Sequence, residues 1–150
     1  MQSAIDAARR GVLAGQTPFG CAIAFEGKIV AARHNTVWLT TDITAHAEVN
    51  AIREACRRTE KIHLERMIVA TTCEPCPMCM AALHWSRVAT VYYGATIQDA
   101  ADAGFNELAL PARQLLEIGN SDVELVADVE RAKCVELFQM WKASEDRRAY

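Results

Sequence analysis

Two short segments of this sequence carry residues that together can bind a metal ion and activate water. The first contains His46 and Glu48, and the second contains Cys76 and Cys79. One imidazole and two thiolates suit zinc, and three protein ligands leave a tetrahedral zinc with one open position, where a catalytic water sits. The carboxylate of Glu48 is not needed as a ligand, so it is free to move protons for that water. The set therefore predicts a catalytic zinc site.

Two further interpretations of these residues compete with a catalytic zinc. A Cys-x-x-Cys pair in a reducing compartment can be a redox pair, and a structural zinc takes a fourth Cys or His. The candidates for a fourth ligand are Cys73, His63 and His84. Because Cys73 precedes Cys76 by only three residues, across Glu74-Pro75, its side chain is expected to point into the core. The acid two residues after His46 favours the catalytic site, because a structural zinc has no use for an unpaired carboxylate.

Two predicted helices must position these residues. Cys76 and Cys79 are three residues apart, so they share one face of a helix predicted over residues 76–85. The unpaired amides at its start favour thiolate over thiol. His46 lies at the start of a helix predicted over residues 45–58, with Thr44 as its N-cap. The two helix starts are expected to close the metal site from opposite sides.

The rest of the chain alternates between helical and strand patterns. Apolar spacing predicts a first helix over residues 1–14, and Gly27 between two apolar runs predicts a β-hairpin. Further strands are predicted at 66–71, 87–93 and 123–126, with short helical pieces at 94–120 and a last helix at 129–143. This order predicts a single α/β domain over residues 1–150, a three-layer α-β-α sandwich with a central mixed five-stranded sheet.

Composition limits the classes of function. The formal net charge of −3 and the pI near 5.8 argue against a nucleic-acid partner, which usually requires a basic surface. No apolar run approaches the ~20 residues that cross a bilayer, and the first ten residues lack the apolar stretch of a signal peptide. We therefore expect a cytoplasmic protein without a membrane partner, whose six cysteines are reduced rather than joined in disulfides.

The motifs resemble those of a known superfamily. Thr44-Ala-His-Ala-Glu-Val-Asn-Ala-Ile-Arg, followed by Thr72-Cys-Glu-Pro-Cys-Pro-Met-Cys, is similar to the cytidine deaminase superfamily, and most of all to its branch of small guanine deaminases. The resemblance implies Zn²⁺ held by His46, Cys76 and Cys79, with Glu48 as proton shuttle. The expected reaction is hydrolytic deamination of guanine to xanthine and ammonia by a zinc-bound hydroxide, a step of purine catabolism.

The resemblance also implies residues that bind a small nucleobase. They are Phe19, Asn35, Ala47, Trp85, Asp99 and Tyr150. Asn35 is expected to hydrogen-bond the base, and Asp99 to accept from the N–H donors of guanine. The C-terminal segment, residues 129–150, is expected to close the active site through Tyr150, in its own subunit or in its neighbour in a homodimer. Purely structural roles stay open: Phe19 and Trp85 can be core residues, Asn35 can end a strand, and Asp99 can cap a short helix.

Departures from the family pattern at Trp38, Ile43 and residues 106–127 leave the substrate open. A tRNA adenosine deaminase shares the zinc motif but is expected to carry a basic stripe near its C-terminus; here residues 144–150 are mixed in charge. Deaminases of cytosine, cytidine, guanosine or a related aminated heterocycle use the same zinc chemistry. Outside the enzymes, a zinc-binding subunit without activity would carry the same ligands.

Overall fold

The computed structural model describes the whole chain, Met1 to Tyr150. Its strands are β1 (Gly20–Phe25), β2 (Lys28–His34), β3 (Ile68–Cys73), β4 (Thr90–Ala95) and β5 (Glu124–Val126). They form one five-stranded sheet in the order β2-β1-β3-β4-β5. β1 runs antiparallel to β2 and β3, whereas β3, β4 and β5 are parallel to one another. The predicted mixed sheet is confirmed.

Seven helices surround the sheet. They are α1 (Gln2–Leu13), α2 (Val37–Thr40), α3 (Ala47–Thr59), α4 (Pro77–Trp85), α5 (Ile97–Ala103), α6 (Ala112–Ile118) and α7 (Arg131–Lys142). Helices α1, α5 and α7 share one apolar cluster, and α3, α4 and α6 share another with the opposite side of the sheet. This arrangement confirms the predicted three-layer sandwich. None of the helices has the length and apolar character that crossing a membrane requires.

The two apolar clusters hold the layers together. Ile23 and Val69, on neighbouring strands, are fully buried beneath α3 and α4, and Ile5 of α1 is fully buried beside Leu137 of α7. Burying one such side chain contributes about 1.5–3 kcal/mol. The layers are therefore fixed against the sheet by packing, which holds the helix starts in place.

One edge of the sheet gathers the elements that matter for chemistry. Cys21 pairs with Thr71 and Cys73 pairs with Ala95, so the start of β1 lies beside the ends of β3 and β4. Ligand sites of open α/β sheets lie outside the carboxyl ends of parallel strands. Gly20 allows close packing at this edge, because a Cβ there would come within 2.2 Å of the carbonyl oxygen of Ala4.

The structure corrects two local predictions. Thr44 is not the N-cap of α3: its N–H and hydroxyl donate to Asp42 at 2.8 and 2.7 Å, and His46 takes the cap position. Strands β3 and β4 begin two and three residues later than predicted. The reason is that Arg66 and Arg87 have φ of 63° and 56°, which is a left-handed conformation and ends strand pairing.

Candidate active site

The three predicted metal ligands lie together. His46 Nδ1 is 3.5 Å from Cys79 Sγ and 3.7 Å from Cys76 Sγ, and the three donor atoms all lie within 4.8 Å of one another. A tetrahedral zinc, with Zn–N about 2.0 Å and Zn–S about 2.3 Å, separates a nitrogen from a sulfur ligand by about 3.5 Å. The spacing of the donor atoms therefore fits zinc. No fourth Cys or His belongs to the group, so one coordination position is left for water.

Two helix starts deliver these ligands. His46 is the N-cap of α3 and Cys76 is the N-cap of α4, both with extended backbone and without a side-chain cap. Pro77 occupies the first turn of α4, where its missing N–H costs nothing and its fixed φ suits the helix. Cys79 follows on the same turn. The positive ends of both helix dipoles face the ligand group and favour thiolates there.

The two thiols differ in acidity. The hydrogen bond from Cys79 lowers the pKa of Cys76 to about 4, against the opposing effect of burial and with help from His46. The same hydrogen bond, together with burial, raises the pKa of Cys79. Cys76 is therefore the more acidic of the two thiols, and Cys79 keeps its proton. Because zinc binds thiolates, metal binding must release that proton.

Glu48 lies in the first turn of α3 and is only 6% exposed. Its Oε1 accepts a hydrogen bond from the Thr71 hydroxyl at 2.9 Å, and its Oε2 accepts from Cys79 Sγ at 3.4 Å. Thr71 thus fixes the carboxyl so that Oε2 faces the ligand group. Burial raises the pKa of Glu48, although the charge of His46 opposes this. A raised pKa brings a carboxyl closer to neutral pH, as general acid and base catalysis requires.

A small cavity of about 20 Å³ adjoins the ligand group. It is lined by Phe19, His46, Glu48, Cys73, Glu74, Cys76, Glu107 and Tyr150. Its volume is that of a single water site. A surface groove of about 270 Å³ shares four of these residues and is otherwise lined by Ile43, Pro77, Met78, Asn106 and Leu108. The cavity and the groove therefore adjoin one another at His46, Cys76, Glu107 and Tyr150.

Two of the six predicted substrate residues line this cavity, and two more adjoin residues that line it. Phe19 and Tyr150 line it. Asn35 is fully buried; its Oδ1 accepts from the Val37 N–H at 3.0 Å and its Nδ2 donates to the Tyr150 hydroxyl at 2.7 Å. Ala47 is fully buried between the His46 ligand and Glu48. Burial raises the pKa of Tyr150, so its hydroxyl stays protonated at neutral pH.

The remaining two predicted substrate residues, Asp99 and Trp85, do not reach the cavity. Asp99 Oδ2 accepts from the N–H and hydroxyl of Thr96, both at 2.7 Å, and Oδ1 accepts from Arg131 at 2.8 Å. These bonds cap α5 and outweigh the effect of burial, so the pKa of Asp99 is lowered. Asp99 is therefore the third residue of α5 and forms a capping box with Thr96, the N-cap. Trp85, at the end of α4, is 77% exposed.

The sequence did not single out Glu107, Cys73 and Glu74 as residues lining this cavity. Glu107 belongs to the same stretch as Asp99, and the signal available was an acid shortly after Gly104-Phe105. Burial raises its pKa, and the charge of Cys76 adds to that effect. Cys73 Sγ donates to the carbonyl oxygen of Thr96 at 3.4 Å and does not join the ligand group.

Comparison with known proteins agrees with this geometry. A family model of the cytidine and deoxycytidylate deaminase zinc-binding region matches residues 1–95. Guanine deaminase from Bacillus subtilis is 45% identical over 108 residues, 71% of this chain and 69% of that protein. tRNA-specific adenosine deaminase from Aquifex aeolicus is 42% identical over 95 residues, 63% of each chain. A solved structure of guanine deaminase from Nitrosomonas europaea, 23% identical, has a TM-score of 0.87 over 95% of this chain and 82% of its own, which shows a common fold.

Proposed function

Because this chain belongs to the cytidine and deoxycytidylate deaminase zinc-binding family, we propose that it hydrolyses guanine to xanthine and ammonia. The observation that carries the choice of base is the carboxyl group of Glu107 at the cavity beside His46 and Cys76. Guanine presents N–H donors along the edge that bears its 2-amino group, and a carboxylate is a pure acceptor. Adenine and cytosine present an acceptor nitrogen beside their amino groups, so Glu107 disfavours them.

The reaction replaces the 2-amino group of guanine with oxygen from water. Zn²⁺ held by His46, Cys76 and Cys79 supplies the Lewis acidity that makes water reactive near neutral pH. Glu48 Oε2 accepts a proton from the water and delivers it to a ring nitrogen. The same carboxyl then carries the second proton of the added water from the oxygen on C2 to the amino nitrogen, the C–N bond breaks as the C2 carbonyl forms, and the products are xanthine and ammonia. Thr71 supports these transfers by holding Oε1, so that the proton moves at Oε2.

Asn35 is proposed to hold the base. Its amide orientation is fixed, because the Val37 N–H occupies Oδ1 and leaves Nδ2 to donate toward Tyr150. The carbonyl oxygen of guanine offers Nδ2 the same kind of acceptor as the Tyr150 hydroxyl. Since the cavity beside Glu48 has a volume of only about 20 Å³ and Tyr150 lines it, we propose that the C-terminal segment moves aside for entry and closes over the bound base.

Glu107 and Asp99 give the experiment that tests the choice of guanine. We expect Glu107→Gln to lower kcat/KM for guanine about 100-fold. The amide NH2 of Gln is a donor, so it would repel the N–H donors of guanine or leave them without an acceptor. Asp99→Asn, a matched loss of a carboxylate in the same stretch, is expected to change kcat/KM less than about threefold, since Asp99 belongs to the capping box of α5. Steady-state xanthine formation measures both. Equal losses in the two variants would contradict the assignment.

Tyr150 offers a test of closure. We expect Tyr150→Ala to raise KM for guanine about tenfold, because the open segment no longer excludes water or retains the base. Arg147→Ala, an exposed change in the same segment, is the control and should leave KM unchanged. Steady-state kinetics over a range of guanine concentrations measures both variants. An unaltered KM in Tyr150→Ala would rule out a closing role for the C-terminal residue.

The similarity to a tRNA-specific adenosine deaminase makes that activity the second candidate. Such a substrate carries its base on a ribose within an RNA loop, so the route into the site must stay open while the base is bound. Tyr150 lines both the groove and the cavity and bonds to Asn35, so we propose that it lies across that route. This position favours a free base, which can be covered completely.

We also propose a homodimer that acts in the cytoplasm in purine catabolism. All six cysteines are free, which is typical of proteins in a reducing compartment.

On α4, Met80 and Leu83 are buried in the core, whereas Met78 and Trp85 are exposed. The two exposed side chains offer a second copy an apolar contact. Sedimentation equilibrium that gives a monomer at micromolar concentration would contradict the dimer.

A further inference from the structure

The carboxylate of Glu74 joins the starts of two helices that are separate in the chain. Its Oε2 accepts from the N–H of Ile97, the first residue of α5, at 3.3 Å, and its Oε1 accepts from the N–H of Ala112, the first residue of α6, at 2.8 Å. Neither amide has a partner within its own helix, because the first amides of any helix lack one. Hydrogen bonds from backbone N–H to a carboxylate are stronger than those between neutral groups. Glu74 therefore ties α5 and α6 to one point.

That point belongs to the sheet. Glu74 directly follows β3, and its own N–H donates to the carbonyl oxygen of Ala95, at the end of β4, at 2.8 Å. Two residues later the chain supplies the ligand Cys76, with Pro75 restricting the backbone between them. The hydrogen bonds of the Glu74 carboxylate therefore fix the starts of α5 and α6 relative to the segment that supplies the metal ligand Cys76.

The loop between α5 and α6, residues 104–111, carries Glu107. Its internal backbone bonds are short in range: the Glu107 N–H donates to Phe105 and the Leu110 N–H donates to Leu108. At its first end, the Phe105 ring packs against Phe19 with centroids 4.8 Å apart. At its second end, the hydrogen bond from the Ala112 N–H to Glu74 connects the loop to the end of β3. The Asn106 N–H also donates to the carbonyl oxygen of Tyr150 at 3.4 Å, so the side-chain position of Glu107 depends on both ends and on this bond.

We propose that Glu74 is a positioning residue, which holds the 104–111 loop so that Glu107 meets the edge of the substrate base. The role of Glu107 in this proposal rests on the proposed function, whereas the hydrogen bonds of Glu74 to α5 and α6 do not. Through these bonds one carboxylate connects the metal-binding segment with the 104–111 loop. In this proposal a change at Glu74 acts on the substrate through Glu107, and the three zinc ligands remain.

Hydrogen exchange tests the tie without reference to activity. Glu74→Gln keeps one acceptor oxygen and replaces the second with an amide nitrogen, and Glu74→Ala removes both. We expect the amides of residues 104–112 to exchange about tenfold faster in Glu74→Gln, and faster still in Glu74→Ala, with zinc content unchanged. Thr96→Ala is the matched control: it weakens the cap of α5 alone, so faster exchange should be confined to residues 97–103. Unchanged exchange at 104–112 in both Glu74 variants would overturn the proposal.

A double-mutant cycle tests the route through Glu107. Glu74→Gln is expected to lower kcat/KM for guanine about tenfold, mainly by raising KM, because a misplaced contact weakens binding and orientation. In a Glu107→Gln background the same change should cost less than about twofold. Equal losses in both backgrounds would show that Glu74 acts independently of Glu107, which overturns the positioning role. If the parent protein does not act on guanine, the proposed function fails, and hydrogen exchange still decides whether Glu74 holds the loop.

Discussion

Replacing Glu48 with Gln is expected to lower guanine turnover about 10³-fold while the protein keeps its zinc. The carboxylate lies beside the ligand group but is not one of its three donors, so its loss removes a proton carrier and leaves the metal site intact. Gln retains the shape of the side chain and an oxygen that can accept the bond from Thr71. It cannot take a proton at neutral pH, and proton transfer therefore fails.

The measurement for Glu48→Gln is kcat for guanine together with zinc content per chain. Glu117→Gln, an exposed acid on α6, is the matched control and should retain full activity. Full turnover in Glu48→Gln with zinc bound would contradict its role as the proton carrier. Loss of zinc in this variant would instead place Glu48 among the groups that hold the metal.

Replacing Cys79 with Ala is expected to abolish both zinc binding and activity. The residue is completely buried, its sulfur is 3.5 Å from His46 Nδ1, and its removal leaves two protein ligands where zinc sites use three or four. We expect zinc content below about one tenth of an ion per chain and turnover reduced at least about 10³-fold. Because a ligand stabilises only the fold that binds it, added zinc should raise the Tm of the parent protein and leave that of Cys79→Ala unchanged.

Cys56→Ala is the control for the loss of a thiol. Cys56 is partly buried near the end of α3 and takes no part in the ligand group. Metal analysis and thermal unfolding with and without zinc should give parent-like results for this variant. Stoichiometric zinc in Cys79→Ala would show that another residue completes the metal site.

The metal ligands were predictable because their geometry is local. Cys76 and Cys79 share a helical turn, and His46 and Glu48 share the start of another helix, so spacing alone placed each pair. The order of helices and strands likewise followed from apolar periodicity. Apolar periodicity does not reveal a left-handed φ, which Arg66 and Arg87 adopt. The predicted starts of β3 and β4 were therefore two and three residues too early.

The residues proposed to meet the base were harder to predict because their positions depend on contacts distant in the sequence. Asp99 and Glu107 are both acids in one stretch, and only the Arg131 and Thr96 bonds of Asp99 separate a helix cap from a cavity residue. The bonds of Glu74 span 23 and 38 residues. No local sequence pattern predicts such bonds, because a glutamate that accepts hydrogen bonds from two helix starts looks the same in the sequence as a glutamate in solvent.

Guanine deamination is tested most directly by identifying the product of the zinc-loaded protein. The protein is incubated separately with guanine, guanosine, cytosine, cytidine, adenine, adenosine and a tRNA anticodon stem-loop, and ammonia and the deaminated product are quantified against Glu48→Gln. We predict xanthine and ammonia in equal amounts from guanine, little product from the remaining substrates, and neither product from the variant. Inosine in the stem-loop without xanthine from guanine, or no product from any substrate with zinc bound, would contradict the proposed function.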